Sequence, residues 1–437
     1  MLFNHTSFSE LRTQIAYALG DPEMIFTTSE NIDSAIEEAL LTFGAISGFW
    51  KDKFLVNTVD KKKLYNIFTD CTDITKIAPT LRYQDVLDWI NRDLIESISQ
   101  ANPNSKLLEL NDILDLIEGR YNLYQLQTSL VLSQVQLNIV AQNSIYKVPD
   151  NIISLVRVEY EEGQPDPPIF VVIRKEDEVS LSYYDELTLL SENRPEFYTS
   201  TYGISNEIRL YPIPANSGKL HMLSVNGQDG DISLDTILNM PNNLVPYIKW
   251  GVEADLFGKE GLLNDPARMQ YCEQRWNEGI AVGRKYASIL SARSDGIPIT
   301  TDSLFMLDLY TDYVASKRRP DILGLAGLNI FGLDLVPDVD VHSIELVLEH
   351  NAIIPTNDDD PVEVELEYIE DIIAYAVHII AFRSSFEEVQ ETIENLKGFV
   401  RTSLEHNELM RLRGLTYENI MGKSKEEESS QPRIVEA

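Results

Sequence analysis

Apolar positions in the first fifty residues recur at helical intervals, and each run is bounded by residues that start or stop a helix. Ser7 and Glu10 stand at capping-box spacing, Leu11, Ile15 and Leu19 follow on one face, and Gly20 and Pro22 end the run. After Thr28 and Ser29 the series Ile32, Ile36, Leu40, Phe43 repeats the pattern, so residues 7–46 predict a helical hairpin. "KFLVNTVDKKKLYNIF" then predicts two short strands around a charged turn at Asp60 to Lys63. Trp89, Ile90, Leu94, Ile95 and Ile98 mark a further helix, and Leu107 to Leu132 has helical spacing broken by Gly119. From Ser144 the texture changes to β-branched and aromatic residues punctuated by Pro and Gly, a strand-and-turn region.

The second half reads as if written twice. "RPEF" at Arg194 and "RPDI" at Arg319 lie 319 − 194 = 125 residues apart, and at that offset Ile208 meets Leu333, Leu210 meets Leu335 and Pro212 meets Pro337. A strand follows in each copy (Lys219 to Val225; Ser343 to Glu349), then a polar loop, then a helix pair: Asn243 to Phe257 with Pro266 to Ile289, and Pro361 to Phe382 with Phe386 to Leu409. The expected class is α+β, mainly helical, with helical hairpins, small β-sheet or sandwich units and an internal duplication in the C-terminal half. The expected divisions are a helical region with a β-hairpin (1–143), a strand unit with a helix pair (144–290), a second such unit (291–421) and a disordered tail (422–437).

Glu349 to Phe382 gathers two histidines, a run of three aspartates and several glutamates, so it is the first place to look for chemistry. Ile344, Leu346 and Leu348 alternate with Glu345, Val347 and Glu349 as in a half-buried strand ending near His350. Asp360 then takes an N-cap position, Pro361 N1 and Glu363 N3, so the aspartates read as a helix start, with a calcium loop as the alternative. The helix that follows is apolar on two faces, with Leu366, Ile369, Ile373, Ala376 and Ile380 on one and Ile372, Ile379 and Phe382 on another. His342, His350 and His378 have no metal-ligand spacing and read as surface or strand-end residues.

Composition narrows the function. Asp and Glu outnumber Lys and Arg by 70 to 36, a formal net charge of −34, which repels phosphate and argues against tight nonspecific nucleic-acid binding. Cys71 and Cys272 are the only cysteines, which fits a reducing compartment and excludes a disulfide framework. No signal peptide and no membrane-length apolar run is visible, and no nucleophile elbow, P-loop or paired CxxC is present. No cofactor or metal is expected. "GLAGLNIFG", Gly324 to Gly332, offers Leu325, Leu328, Ile330 and Phe331 as an interface loop, with an irregular buried strand as the alternative. Lys61 to Lys63 reads as a solvated turn. The closing "PRIVEA" places Arg433, Ile434 and Val435 in a polar tail, either as a short hook for a neighbouring protein or as part of an inert solubilising segment.

"YKVPDNIISLVRVEY" from Tyr146, "RPEFYTSTYGISNEIRLYPIPANSGKLHMLSVNG" from Arg194, "MPNNLVPYIKWGVEADLF" from Met240 and "DPARMQYCEQRWNEG" from Asp265 together resemble a known family. They are similar to the head-to-tail connector and neck-ring (adaptor) proteins of short-tailed bacteriophages, crAss-like phages among them. The resemblance implies a virion subunit without enzymatic activity, in a homo-oligomeric ring, often twelvefold, below the portal protein and beside other neck and tail proteins. Genomic DNA would pass through the lumen without specific binding, no membrane would be involved, and assembly would take place in the host cytoplasm. Residues Ala315 to Met410 depart from the family by adding the second unit. Other readings are a tail-tube or nozzle ring, an acidic hydrolase with a carboxylate pair, and a non-viral scaffold or peptide-binding protein.

Overall fold

The computed structural model of the chain describes residues 6–59, 62, 64–99, 110–162, 169–181, 183–184, 190–201, 206–228, 230, 232–259, 264–288, 290–293, 298–299, 322–333, 343–384 and 386–421. The opening helical hairpin forms as its caps dictate. In α1 (Phe8–Ala18) the Ser7 hydroxyl accepts from the Glu10 amide while the Glu10 carboxylate accepts from the Ser7 amide. Thr28 caps α2 (Ser29–Ser47), and Gly48 ends it in the left-handed region, φ 55°. The remaining long helices are α3 (Tyr83–Ser99), α4 (Leu110–Thr128), α5 (Val245–Gly258), α6 (Pro266–Ala287), α7 (Leu366–Ser384) and α8 (Phe386–His406). Their apolar faces share one core, in which α7 buries Ile369 and Ala376 on one side and Ile372, Ile379 and Phe382 on another, as its two stripes require.

Among the described residues the strands build five sheets. β1 (Lys51–Asn57) pairs antiparallel with β17 (Ser343–Glu349), and β11 (Ile213–Pro214) lies parallel to β8 (Glu192–Asn193). The order β3 (Leu132–Ile139), β12 (Gly218–Asn226), β5 (Ile152–Glu162), β6 (Ile169–Val172) makes one four-stranded sheet. The order β4 (Ile145–Lys147), β10 (Glu207–Tyr211), β9 (Phe197–Thr201), β7 (Arg174–Lys175) makes another. These two share a core of their own around Tyr146, Val158, Tyr160, Ile208, Leu210 and Leu220, a small sandwich. The fifth sheet runs β14 (Pro298–Ile299), β13 (Leu290–Arg293), β15 (Ile322–Ala326), β16 (Ile330–Leu333), β2 (Leu64–Asn66).

Hydrogen bonds reveal a repeat that the sequence pattern located only in part. The amide of Phe8 donates to the Asp360 carbonyl, Ser9 to Asp358 and Val362 to Thr6; in the same pattern Tyr83 donates to Thr236, Gln84 to Leu234 and Leu238 to Leu81. The Tyr65 hydroxyl accepts from the Val59 amide and donates to the Lys62 carbonyl, and Tyr146 does the same with Val140 and Asn143. Lys51 faces Glu349 across the β1–β17 pair as Leu132 faces Val225 across β3–β12. The Tyr368 amide donates to Glu365 as Leu244 does to Pro241. Two units of one plan follow, each a helical hairpin, a strand, a short strand, a β-hairpin, a long strand and a second helical hairpin. The inner unit comprises α3, α4, β3, β4, β9, β10, β12, α5 and α6, and the outer unit α1, α2, β1, β2, β15, β16, β17, α7 and α8.

This arrangement corrects several expectations. The units are nested, because the outer one takes its first hairpin and first strands from residues before the inner one and the rest from residues after it. The alignment near the hairpins also differs: Ile208 corresponds to Phe331, since the one faces Tyr146 and the other Tyr65. Leu335, Pro337 and Arg319 lie outside the described residues. β1 and β2, expected as a hairpin, do not pair with each other; their partners β17 and β16 come from the far end of the chain. The last long helix pair begins later than expected, at Leu366. Residues 361–364 are instead held by the chain start, Pro361 bridging to Ser7 and the Val362 amide donating to the Thr6 carbonyl, before the chain turns at Val364, whose amide donates to the Val362 carbonyl; Val362 and Val364 are buried.

Candidate functional site

The two units meet along a buried seam of charged and polar side chains. From the outer unit α2 supplies Glu38 and α7 supplies Tyr375, His378 and Arg383; from the inner unit α3 supplies Asp93, α5 Lys249 and Glu253, and α6 Tyr271, Arg275 and Glu278. Lys249 Nζ lies 2.6 Å from Glu38 Oε2 and 2.8 Å from Asp93 Oδ2, and Arg383 Nε lies 2.7 Å from Asp93 Oδ1. Arg275 pairs with Glu278 and donates to the Tyr375 hydroxyl at 2.5 Å. Lys249, Glu253 and Arg275 are wholly buried. An ion network here costs desolvation, and its partners must complete one another.

Three cations, Lys249, Arg275 and Arg383, face four carboxyl groups, Glu38, Asp93, Glu278 and Glu253. One proton on a carboxyl makes the cluster neutral. Burial and then the neighbouring Asp93 carboxylate push Glu253 well above the ordinary glutamate value, so the proton sits there. Burial alone would raise Asp93 too, but Lys249 and Arg383 overcome it and hold the carboxyl at about 2. Burial would lower Lys249, but the Asp93 and Glu38 carboxylates outweigh it, so it is raised in turn. His378, which reads from sequence as a surface residue, is wholly buried; its Nε2 lies 2.6 Å from the Tyr271 hydroxyl and its Nδ1 2.8 Å from Thr392 Oγ1. Burial, then Arg275, lowers it to about 3, so it is a neutral strut of the seam. Sequence patterning did not pick out this network: Glu38 and Asp93 sit among the polar positions of their helices, and Lys249 and Glu253 are isolated charges in an α5 that is otherwise apolar and buried nearly all round.

The other candidates are structural. Asp360 does not cap a helix: its carboxylate accepts from the amides of Thr356 and Asn357 and closes the turn ahead of Pro361, and these backbone bonds hold its pKa below the usual carboxylate range. Asp358 pairs with Arg12 at 2.9 Å. Among the described residues no group of three or more His, Cys, Asp or Glu is placed to hold a metal ion, and no helix is long and apolar enough to cross a membrane. His350 is strand-end as expected, while His342 lies outside the described residues. Of the two readings of Gly324 to Gly332, interface loop or buried strand, the structure has the second: the segment is a β-hairpin turned inward. Ile330 and Phe331 are wholly buried, and Leu325 and Leu328 pack against the cores, so their apolar surface is covered within the chain. At its tip Asn329 accepts from the Leu132 amide and donates to the Leu132 carbonyl, holding the outer unit's hairpin to the inner unit's β3. Lys62 pairs with Asp70. Cys71 and Cys272 are free and buried. Arg433, Ile434 and Val435 lie outside the described residues. A shallow depression on the β3–β12–β5 sheet is lined by Gln134, Gln136, Arg157, Glu159 and His221, with Arg157 paired to Glu159 and His221 to Glu161.

Residues 81–295 match the model of the family described as SU10 adaptor protein. The match starts just ahead of α3 and runs past the end of α6, so it spans the inner unit. The resemblance to phage head-to-tail adaptor proteins holds over this stretch. No curated protein matches the chain.

Proposed function

We propose that this chain is a structural adaptor subunit of a bacteriophage virion, assembling into a ring between the portal protein and the tail through which genomic DNA passes. The observation that carries this reading is the match of residues 81–295 to the SU10 adaptor family, a stretch that coincides with one complete unit of the fold. The net charge of −34 fits a lumen past which DNA slides without sticking, since like charge keeps phosphate at a distance. The part is structural: the buried ionisable groups of the seam engage one another and hold two units in register. The closing residues Arg433, Ile434 and Val435 serve as a hook for an adjacent virion protein.

Electron microscopy of virions, with peptide mass spectrometry of the purified particles, tests the reading. A ring of this chain directly below the portal is the expected result. Particles that lack the chain, or carry it only at the distal end of the tail, overturn it. For the hook, deleting residues 423–437 is expected to leave a folded subunit that attaches fewer tails, and normal tail attachment refutes it.

A further inference from the structure

The seam is a head-to-tail contact between two similar units. The outer unit enters it with α2 and α7 and the inner unit with α3, α5 and α6. A two-fold contact would return each pairing with the roles exchanged, and the described residues do not return them. Gly119 on α4 is the counterpart of Glu38 on α2, as Thr128, which bonds the Tyr124 carbonyl, is of Ser47, which bonds that of Phe43. Ile373 on α7 is likewise the counterpart of Lys249 on α5. Glu38 and Lys249 are joined across the seam, whereas a Cβ built on Gly119 would meet nothing within 4 Å among the described residues. A heterologous contact leaves one face of each kind unused.

Those two faces carry the large exposed apolar side chains that their seam counterparts lack. On α4, Leu126 is 50% exposed, while its counterpart Ala45 is 1% exposed beneath Tyr286, whose hydroxyl donates to the Ala45 carbonyl. On the outer unit Tyr17 of α1 is 68% exposed and Leu366 of α7 58%. Their counterparts are Arg92 and Asn242 of the inner unit, and the Asn242 backbone amide donates to Asn351 Oδ1 at 3.1 Å. The substitutions also match in pairs. Where the seam sets Glu38 against Lys249, the other faces offer Gly119 and the half-buried Ile373, which packs in part against its own core, so both charges are lost together and an apolar side chain stands where a bare helix would meet it.

We propose that a second copy of this chain docks Tyr17, Leu366 and Ile373 of its outer unit onto the α4 face around Gly119 and Leu126, repeating between chains the contact that the seam makes within one. This deepens the ring reading and rests on it, because a head-to-tail contact repeated from chain to chain is what closes a ring. Each chain then contributes two units in succession to the wall.

Variants of the full chain with one added cysteine, Gly119→Cys and Ile373→Cys, test it when mixed under mild oxidation, since native Cys71 and Cys272 are buried. A disulfide joining one variant to the other, and little for either alone, is expected. Gly119→Arg is expected to weaken self-association in sedimentation roughly tenfold or more while the far-ultraviolet dichroism stays unchanged. A dominant Gly119→Cys homodimer, the product of a two-fold contact, overturns the proposal. Rings that form normally with Gly119→Arg and give no mixed disulfide overturn this contact and leave the ring reading standing. A wild-type chain that never self-associates, alone or in particles, overturns both.

Discussion

Glu253 is the carboxyl whose proton balances the seam, and this gives a signed dependence on pH. A carboxyl raised by folding binds its proton more tightly in the folded state, so its contribution to stability is fully present below the ordinary glutamate value of 4.5 and is lost as pH rises from there toward the raised value. Glu253→Gln keeps the neutral form at every pH. Thermal melts across neutral and alkaline pH are expected to show a shallower loss of stability for the variant than for the wild type; parallel curves would place the proton elsewhere. Asp93 acts in the opposite sense, contributing above its unfolded value and failing only as pH drops toward about 2. Lys249→Met leaves Glu38 buried without its cation and is expected to cost about 3–5 kcal/mol in urea denaturation. A cost under about 1 kcal/mol, the range of surface pairs, would mean that the pair is solvated.

Two helical glycines should respond to the same change with opposite signs. Gly48 ends α2 at φ 55°, and a Cβ there would lie 2.2 Å from Glu349 Oε1, in a site where Glu349 also accepts from the Tyr286 hydroxyl at 2.6 Å. Gly48→Ala therefore meets both the left-handed backbone penalty of about 1–2 kcal/mol and a clash, and is expected to destabilise by at least that much. Gly119 lies inside α4 with open space around it, so Gly119→Ala removes only the helical cost of glycine and is expected to stabilise by about 1 kcal/mol. Chemical denaturation of both variants checks the pair, and a destabilising Gly119→Ala would mean that the α4 face is already covered.

Nesting couples the two ends of the chain to its middle. The outer unit cannot form until residues on both sides of the inner unit have met, and the seam then joins the units through Lys249, Asp93 and Arg383. The helical units are therefore expected to unfold together. Trp50 reports on the outer unit and Trp276 on the inner, both nearly fully buried. Variants that keep only one of these tryptophans should give coincident fluorescence transitions in urea, and separated midpoints would show the units to be independent.

Local signals in the sequence determined much of this protein. The capping box at Ser7 and Glu10, the spacing through α2, and the alternation of Ile344, Leu346 and Leu348 each specify an element with groups only a few residues apart, so the elements and the mixed α+β class were legible before any fold. The likeness of the two helix pairs was legible too, since each copy keeps its own order of strand, loop and hairpin. What the folded chain alone decided is pairing at a distance. β1 chooses β17, Asn329 closes on Leu132, and Glu38 finds Lys249, contacts between residues 197 or more positions apart in the last two cases. No local pattern encodes such a partner, because a polar residue on a helix reads the same whether it faces water or a buried counter-ion. Val362 and Val364 make the same point from the other side: the Asp-Pro signal favours a helix there, and the Thr6 and Ser7 backbone, brought alongside only by the fold, takes up the Pro361 and Val362 backbone instead.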